Sequence, residues 1–116
     1  MDQQLITLKL ESLRRCLNRV EEKTPADLKQ LENDLDIQDI LVLNLSRAVQ
    51  LCVDIASHII SRSNETMPAT MGGTFVLLHE MGIIDESIAQ NLRKSVGFRN
   101  VAVHNYDEVE WAIVYV

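Results

Sequence analysis

The chain has 116 residues, with 11 Lys and Arg against 17 Asp and Glu, and a formal net charge of −6. This length fits a single domain over residues 1–116, and a hydrophobic content of 47% excludes an intrinsically disordered chain. The acidic balance argues against a broad phosphate-binding surface, and an aromatic content of 4% excludes rows of stacking platforms for single-stranded nucleic acid.

The first predicted helix ends before Thr24-Pro25, because proline cannot continue a helix interior. The same pair predicts a restart, with Thr24 as the N-cap, Pro25 as the first helical residue and Asp27 near the positive helix end. The polar segment 26–36 can form a short separate helix. One face of the first helix carries apolar residues at spacings of three and four: Ile6, Leu10, Leu13, Leu17 and Val20.

A central helix is predicted over residues 37–60, because apolar residues cover much of its circumference. Such a helix is packed by neighbours on several sides. Its remaining face carries one polar strip, which falls within an arc of about 80°. The strip consists of Arg47, Gln50, Asp54, His58 and Ser61.

Residues 63–73 are predicted to form a loop, followed by a short helix over 74–81 that ends at Gly82. Asp85 is expected to cap the next helix, and Asp107 with Glu110 three residues later resembles a capping box for a last one. The expected fold is therefore an all-α, up-and-down bundle of four to five helices joined by short loops.

The segment 97–106, GFRNVAVHNY, contains an Arg-x4-His-x-Tyr motif formed by Arg99, His104 and Tyr106. Histidine titrates near neutral pH and can transfer protons, and arginine offers a charged planar fork to phosphate oxygens. Tyrosine can position a phosphate or stack on a base. These are the groups that cleavage of an RNA phosphodiester without a metal ion requires.

Positions 99 and 104 lie about 140° apart around a straight helix, so their side chains would not converge. The motif is therefore predicted to straddle a helix terminus between Val103 and Asp107. Asn100 and His104 share a face for as long as the helix continues.

In this context the motif resembles that of the HepT-like ribonucleases of the HEPN superfamily, the toxin halves of bacterial toxin–antitoxin pairs. The likeness also includes Asp85-Glu86-Ser87 leading into LRKSVGFRN and the central polar strip, and it covers residues 1 to about 112. It implies a HEPN-like domain that acts as a metal-independent endoribonuclease without a cofactor. Arg99 and His104 would be catalytic, in a composite cleft of a symmetric homodimer.

The resemblance also implies a nucleotidyltransferase antitoxin as protein partner, besides the RNA substrate. Such a partner can attach AMP to the motif tyrosine, which makes Tyr106 the candidate for modification. The alternative function is a non-catalytic helical dimer that binds a nucleotidyltransferase or a nucleotide.

Supporting residues are expected around the catalytic pair, namely Asn100, Tyr106, Asp54 and Arg47. For the central polar strip two interpretations stand side by side. Asp54 and His58 are spaced to hydrogen-bond in a satisfied polar network with Arg47 two turns away, or Asp54 holds Arg99 or His104 in place.

Signal-peptide features are lacking at the Met-Asp-Gln-Gln start, and the longest unbroken apolar run, Trp111–Val116, is too short for a membrane span. Cys16 and Cys52 are expected to be free thiols, since a metal site needs closer ligand pairs. The chain is therefore expected to be cytoplasmic, with no membrane or metal association. RNA binding should be confined to a narrow basic cleft near Arg93, Lys94 and Arg99.

Overall fold

The computed structural model describes residues 3–104 and Trp111, and these residues form an all-α fold. The helices are α1 (Gln3–Lys23), α2 (Leu28–Asn33), α3 (Leu35–Ser61), α4 (Met71–Glu80) and α5 (Glu86–His104). The predicted all-α bundle is confirmed. The predicted capping box at Asp107 lies outside the described residues.

Helix α3 is the centre of the bundle and packs against α1, α2, α4 and α5. Its apolar faces account for this position, because Val49, Val53, Ala56 and Ile60 are buried and form a core with side chains of α4 and α5. The partners from α4 and α5 are Phe75, Leu78 and Val96. Within the described part of the chain, α3 alone has the length and composition of a membrane-crossing helix, which its central place in this core explains.

Helices α1 and α3 run antiparallel. Lys9 near the start of α1 contacts Asp54 near the end of α3, whereas Arg19 and Ile40 line one cleft at the opposite ends. Helices α4 and α5 form a hairpin around the turn at Gly82.

The start of α2 corrects the prediction made for Thr24. Asp27 is the N-cap, and its carboxylate accepts a hydrogen bond from the amide of Gln30 at 2.8 Å. The hydroxyl of Thr24 instead donates to the carbonyl of Val20 at 2.6 Å, so this residue completes the last turn of α1. An aspartate at the second position of the polar segment 26–36 supplies the acceptor that the helix start requires.

The start of α4 corrects the predicted loop over 63–73. The helix begins at Met71, and the hydroxyl of its N-cap Thr70 accepts a hydrogen bond from the amide of Gly73 at 3.0 Å. A Cβ at Gly73 would lie 2.9 Å from that hydroxyl oxygen and 3.2 Å from the Cβ of Pro68. The glycine pair that suggested a loop thus belongs to the first helical turn, and at Gly73 the cap leaves no room for a side chain.

The predicted stop at Gly82 is confirmed. Gly82 has a φ of +77°, and its amide donates to the carbonyl of His79. The amide of Ile83 donates to the carbonyl of Leu78. This pattern is a Schellman C-cap. The predicted cap of α5 is also confirmed, since the carboxylate of Asp85 accepts from the amide of Ile88 at 2.8 Å.

Candidate functional site

The first part of the motif lies on the last turns of α5, beside the start of α4. Arg99 is half-buried, and its Nη1 donates to the sulfur of Met71 at 3.5 Å. The contact joins the motif arginine to the first residue of α4. A thioether is only a weak acceptor, so the guanidinium keeps its charge for another partner.

A cleft of about 470 Å³ opens between α4 and α5 at this end of the hairpin. We call it the α4–α5 cleft. It is lined by Gly72, Gln90, Arg93, Lys94, Val96, Gly97 and Asn100. The motif residue Asn100 is therefore part of its wall, and Arg99 lies next to it through Met71, the neighbour of Gly72.

The electrostatics of the α4–α5 cleft are positive. Arg93 and Lys94 are exposed, and neither pairs with an acidic side chain among the described residues. The amino-terminal turn of α4 adds a partial positive charge. In a chain with a net charge of −6, this cleft is a local surface that suits an anion.

The backbone of α5 remains helical through His104. The side chain of His104, and all of Tyr106, lie outside the described part of the chain. The predicted helix terminus within the motif, and the convergence of His104 with Arg99, stay predictions.

Asp54 lies in a polar network between α1 and α3. Its Oδ2 accepts from the Nζ of Lys9 at 3.2 Å, and its Oδ1 accepts from the Nε2 of Gln50 at 2.9 Å. Both carboxylate oxygens thus have partners other than His58 or Arg99. The sequence indicated a network here but missed Lys9, which lies 45 positions away and meets Asp54 only because the two helices are antiparallel.

Arg47 is exposed and lines a second cleft, of about 680 Å³, between α1 and α3. Arg15 and Arg19 of α1 line the same cleft, over an apolar floor that includes Cys16 and Leu51. The structure therefore places two predicted supporting residues, Arg47 and Asn100, in different clefts of one chain. Their shared role in one active site stays a prediction.

An all-α bundle with a basic cleft beside an Arg-x4-His-x-Tyr motif defines a candidate ribonuclease. The profile of the family described as Ribonuclease HepT-like matches residues 13–116. The chain belongs to the HepT-like ribonuclease family, and the resemblance drawn from the motif is confirmed.

Individual relatives agree with this assignment. The chain is 36% identical over 110 residues to the mRNA nuclease HepT of Shewanella oneidensis, covering 95% of this chain and 82% of the relative. It is 26% identical over 106 residues to the tRNA nuclease HepT of Aphanizomenon flos-aquae, covering 91% of this chain and 72% of the relative. The tri-AMPylated Shewanella oneidensis HEPN toxin, solved in complex with its MNT antitoxin, superposes with a TM-score of 0.88 at 35% identity, covering 98% of this chain and 84% of the toxin.

Proposed function

We propose that this ribonuclease is the toxin of a cytoplasmic toxin–antitoxin pair and cleaves RNA internally, without a metal ion. The observation that carries the proposal is the position of Arg99, five residues before His104 and beside a cleft whose cations, Arg93 and Lys94, pair with no acidic side chain in the part of the chain that the structure describes. The nuclease names of the two relatives support RNA as the substrate.

The reaction needs two proton transfers and one charged stabiliser. The 2′-hydroxyl loses its proton and attacks the adjacent phosphorus, the bond to the 5′-oxygen breaks, and that oxygen gains a proton. We assign the proton transfers to His104, because an imidazole can both accept and donate a proton, and Arg99 has the fixed charge that stabilises the more negative phosphorane. Asn100 supports the pair from the cleft wall.

A symmetric homodimer completes the proposed site. One chain contributes one motif histidine, whereas removing and delivering a proton is best done by two groups. Two-fold symmetry brings two copies of the same surface together, and with them two copies of Arg99 and His104. Residues Arg47 and Asp54 then act as supporting residues if the second chain brings them toward the motif.

A nucleotidyltransferase antitoxin is the proposed protein partner. The solved Shewanella complex pairs an AMPylated HEPN toxin with an MNT antitoxin, which supports the same pairing here. Tyr106 is the proposed acceptor of AMP. The added phosphate would repel an RNA strand and pair with Arg99, and cleavage would stop.

Expression in a bacterial host tests the proposal at the level of the pair. The wild-type chain should arrest growth, and co-expression of the partner transferase should relieve the arrest and add AMP to the peptide that contains Tyr106. His79→Ala is the matched control, because His79 is exposed on α4 and its Nδ1 lies 3.3 Å from a turn carbonyl, that of Ile84. Growth arrest that persists in His104→Ala would refute the assigned chemistry, and a Tyr106 peptide of unchanged mass would refute the proposed modification.

A further inference from the structure

Gly97 lies in the interior of α5, where glycine lowers helix stability relative to alanine. A Cβ built on Gly97 meets no atom within 4 Å, so packing within the chain does not require glycine at this position. The same holds for Gly72 on α4. Both glycines line the α4–α5 cleft, so each of its two walls has a point without a side chain.

The rim of this cleft carries cations at a defined distance from the motif. Arg93 and Lys94 precede Arg99 by six and five residues, which is about 9 Å and about 7.5 Å along a helix. This separation suits a phosphate other than the one that Arg99 would stabilise. Among the lining residues, Gln90 donates to the carboxylate of Glu86 at 3.3 Å.

We infer that the α4–α5 cleft is a subsite for the RNA backbone, which nothing in the motif itself defines. Arg93 and Lys94 bind a phosphate next to the scissile one, and Gly72 and Gly97 let the sugar–phosphate chain approach the two helices closely. Because these contacts are made to the sugar–phosphate backbone and not to the bases, the subsite binds RNA without sequence specificity. The inference rests on the proposed cleavage of RNA at Arg99.

Binding of a fluorescent single-stranded RNA with 2′-O-methyl riboses tests the cations, because this probe binds but cannot be cleaved through its 2′ position. The pair Arg93→Gln with Lys94→Gln should weaken binding at least tenfold. The slope of log Kd against log salt should fall by about 0.7, since the two cations share one phosphate and each neutralised phosphate contributes about 0.7 for single strands. In cleavage of ordinary RNA, KM should rise while kcat stays within twofold.

The matched control is Arg14→Gln with Lys29→Gln, which removes two exposed cations from α1 and α2. This control should bind the probe as the wild type does. Equal binding by the two double variants would overturn the inference. Because the probe measures binding alone, that result would leave the proposed chemistry intact, whereas cleavage that persists in Arg99→Ala would refute the chemistry alone.

Gly97→Ala tests whether the RNA strand needs the point without a side chain on the α5 wall of the cleft. This change should raise the melting temperature, because alanine favours the helix and its Cβ meets nothing, yet it should weaken binding of the probe about fivefold or more. The control Asn91→Ala lies on an exposed part of α5 that does not line the cleft. Unchanged RNA binding in Gly97→Ala would overturn the inference. Dissociation of this variant into monomers, seen by analytical ultracentrifugation, would also overturn it, because the surface at Gly97 would then be a contact between protein chains.

Discussion

The guanidinium of Arg99 donates to the sulfur of Met71 over 3.5 Å and thereby joins the last turns of α5 to the first turn of α4. The motif arginine is thus oriented by a neutral, weakly accepting atom. Its charge stays available at the edge of the α4–α5 cleft. This arrangement suits a residue that must meet a phosphate rather than an internal carboxylate.

Replacement of Met71 by leucine isolates that contact. Leucine keeps the volume and the packing but removes the acceptor, so the free energy of unfolding should change by less than about 1.5 kcal/mol. Loss of one weak orienting contact, worth at most about 1 kcal/mol, should lower kcat/KM about two- to fivefold. Steady-state cleavage by Met71→Leu checks this, and an unchanged kcat/KM would show that the contact does not orient Arg99.

The Lys9–Asp54 pair should stabilise the α1–α3 contact modestly. The side chains are 27% and 36% exposed, and partly exposed ion pairs contribute about 0.2–1 kcal/mol. A double-mutant cycle of Lys9→Ala and Asp54→Ala, followed by urea denaturation, measures the coupling.

The same variants decide between the two interpretations of the central polar strip. If Asp54 serves only the network with Lys9 and Gln50, both single variants should cleave RNA at nearly the wild-type rate. A large loss of kcat in Asp54→Ala, with none in Lys9→Ala, would instead place Asp54 behind the active site of the assembled dimer.

Gly82→Ala should destabilise the fold, since a φ of +77° costs an L-residue about 1–2 kcal/mol. The two hydrogen bonds of this C-cap, donated by the amides of Gly82 and Ile83, would be strained as well. Urea denaturation should show a lower midpoint with an unchanged m-value. A midpoint equal to that of the wild type would contradict the described C-cap.

Burial raises the pKa of the Cys52 thiol, which packs against the core of α3, α4 and α5. The neutral thiol is thus favoured by the fold. The resulting stabilisation is fully present below the pKa of the unfolded thiol and is lost as pH rises through the raised pKa of the folded protein. Alkylation of Cys52 by iodoacetamide at pH 8 should be slower in the native protein than in urea, and equal rates would contradict this burial.

Local chemistry accounts for what the sequence predicted correctly. The apolar circumference of residues 37–60 identified α3 as central, and Gly82 and Asp85 marked their helix ends because each acts on its own neighbours. Where two local signals competed, the prediction was wrong. Thr24-Pro25 resembled a helix start, but Asp27 provides the cap, and the glycines before Thr74 resembled a loop although they form the first turn of α4.

Contacts between residues far apart in the sequence could not be predicted from the spacing of residue types. Nothing in the spacing indicated that Lys9 meets Asp54, or that Met71 meets Arg99, because both contacts depend on how helices pair. The two clefts arise in the same way. The polar strip on α3 faces α1, where Arg47 and Gln50 line a cleft and Asp54 accepts from Gln50 and Lys9.

Cleavage of RNA by the purified chain in excess EDTA tests the central claim most directly. The wild type and the control Arg14→Ala should cleave a single-stranded RNA at equal rates with and without the chelator. Arg99→Ala and His104→Ala should each lose at least about a hundredfold in kcat, the contribution of one proton-transfer or charge-stabilising group. Cleavage that EDTA abolishes, or that survives in either variant at the wild-type rate, would contradict a metal-independent ribonuclease built on Arg99 and His104.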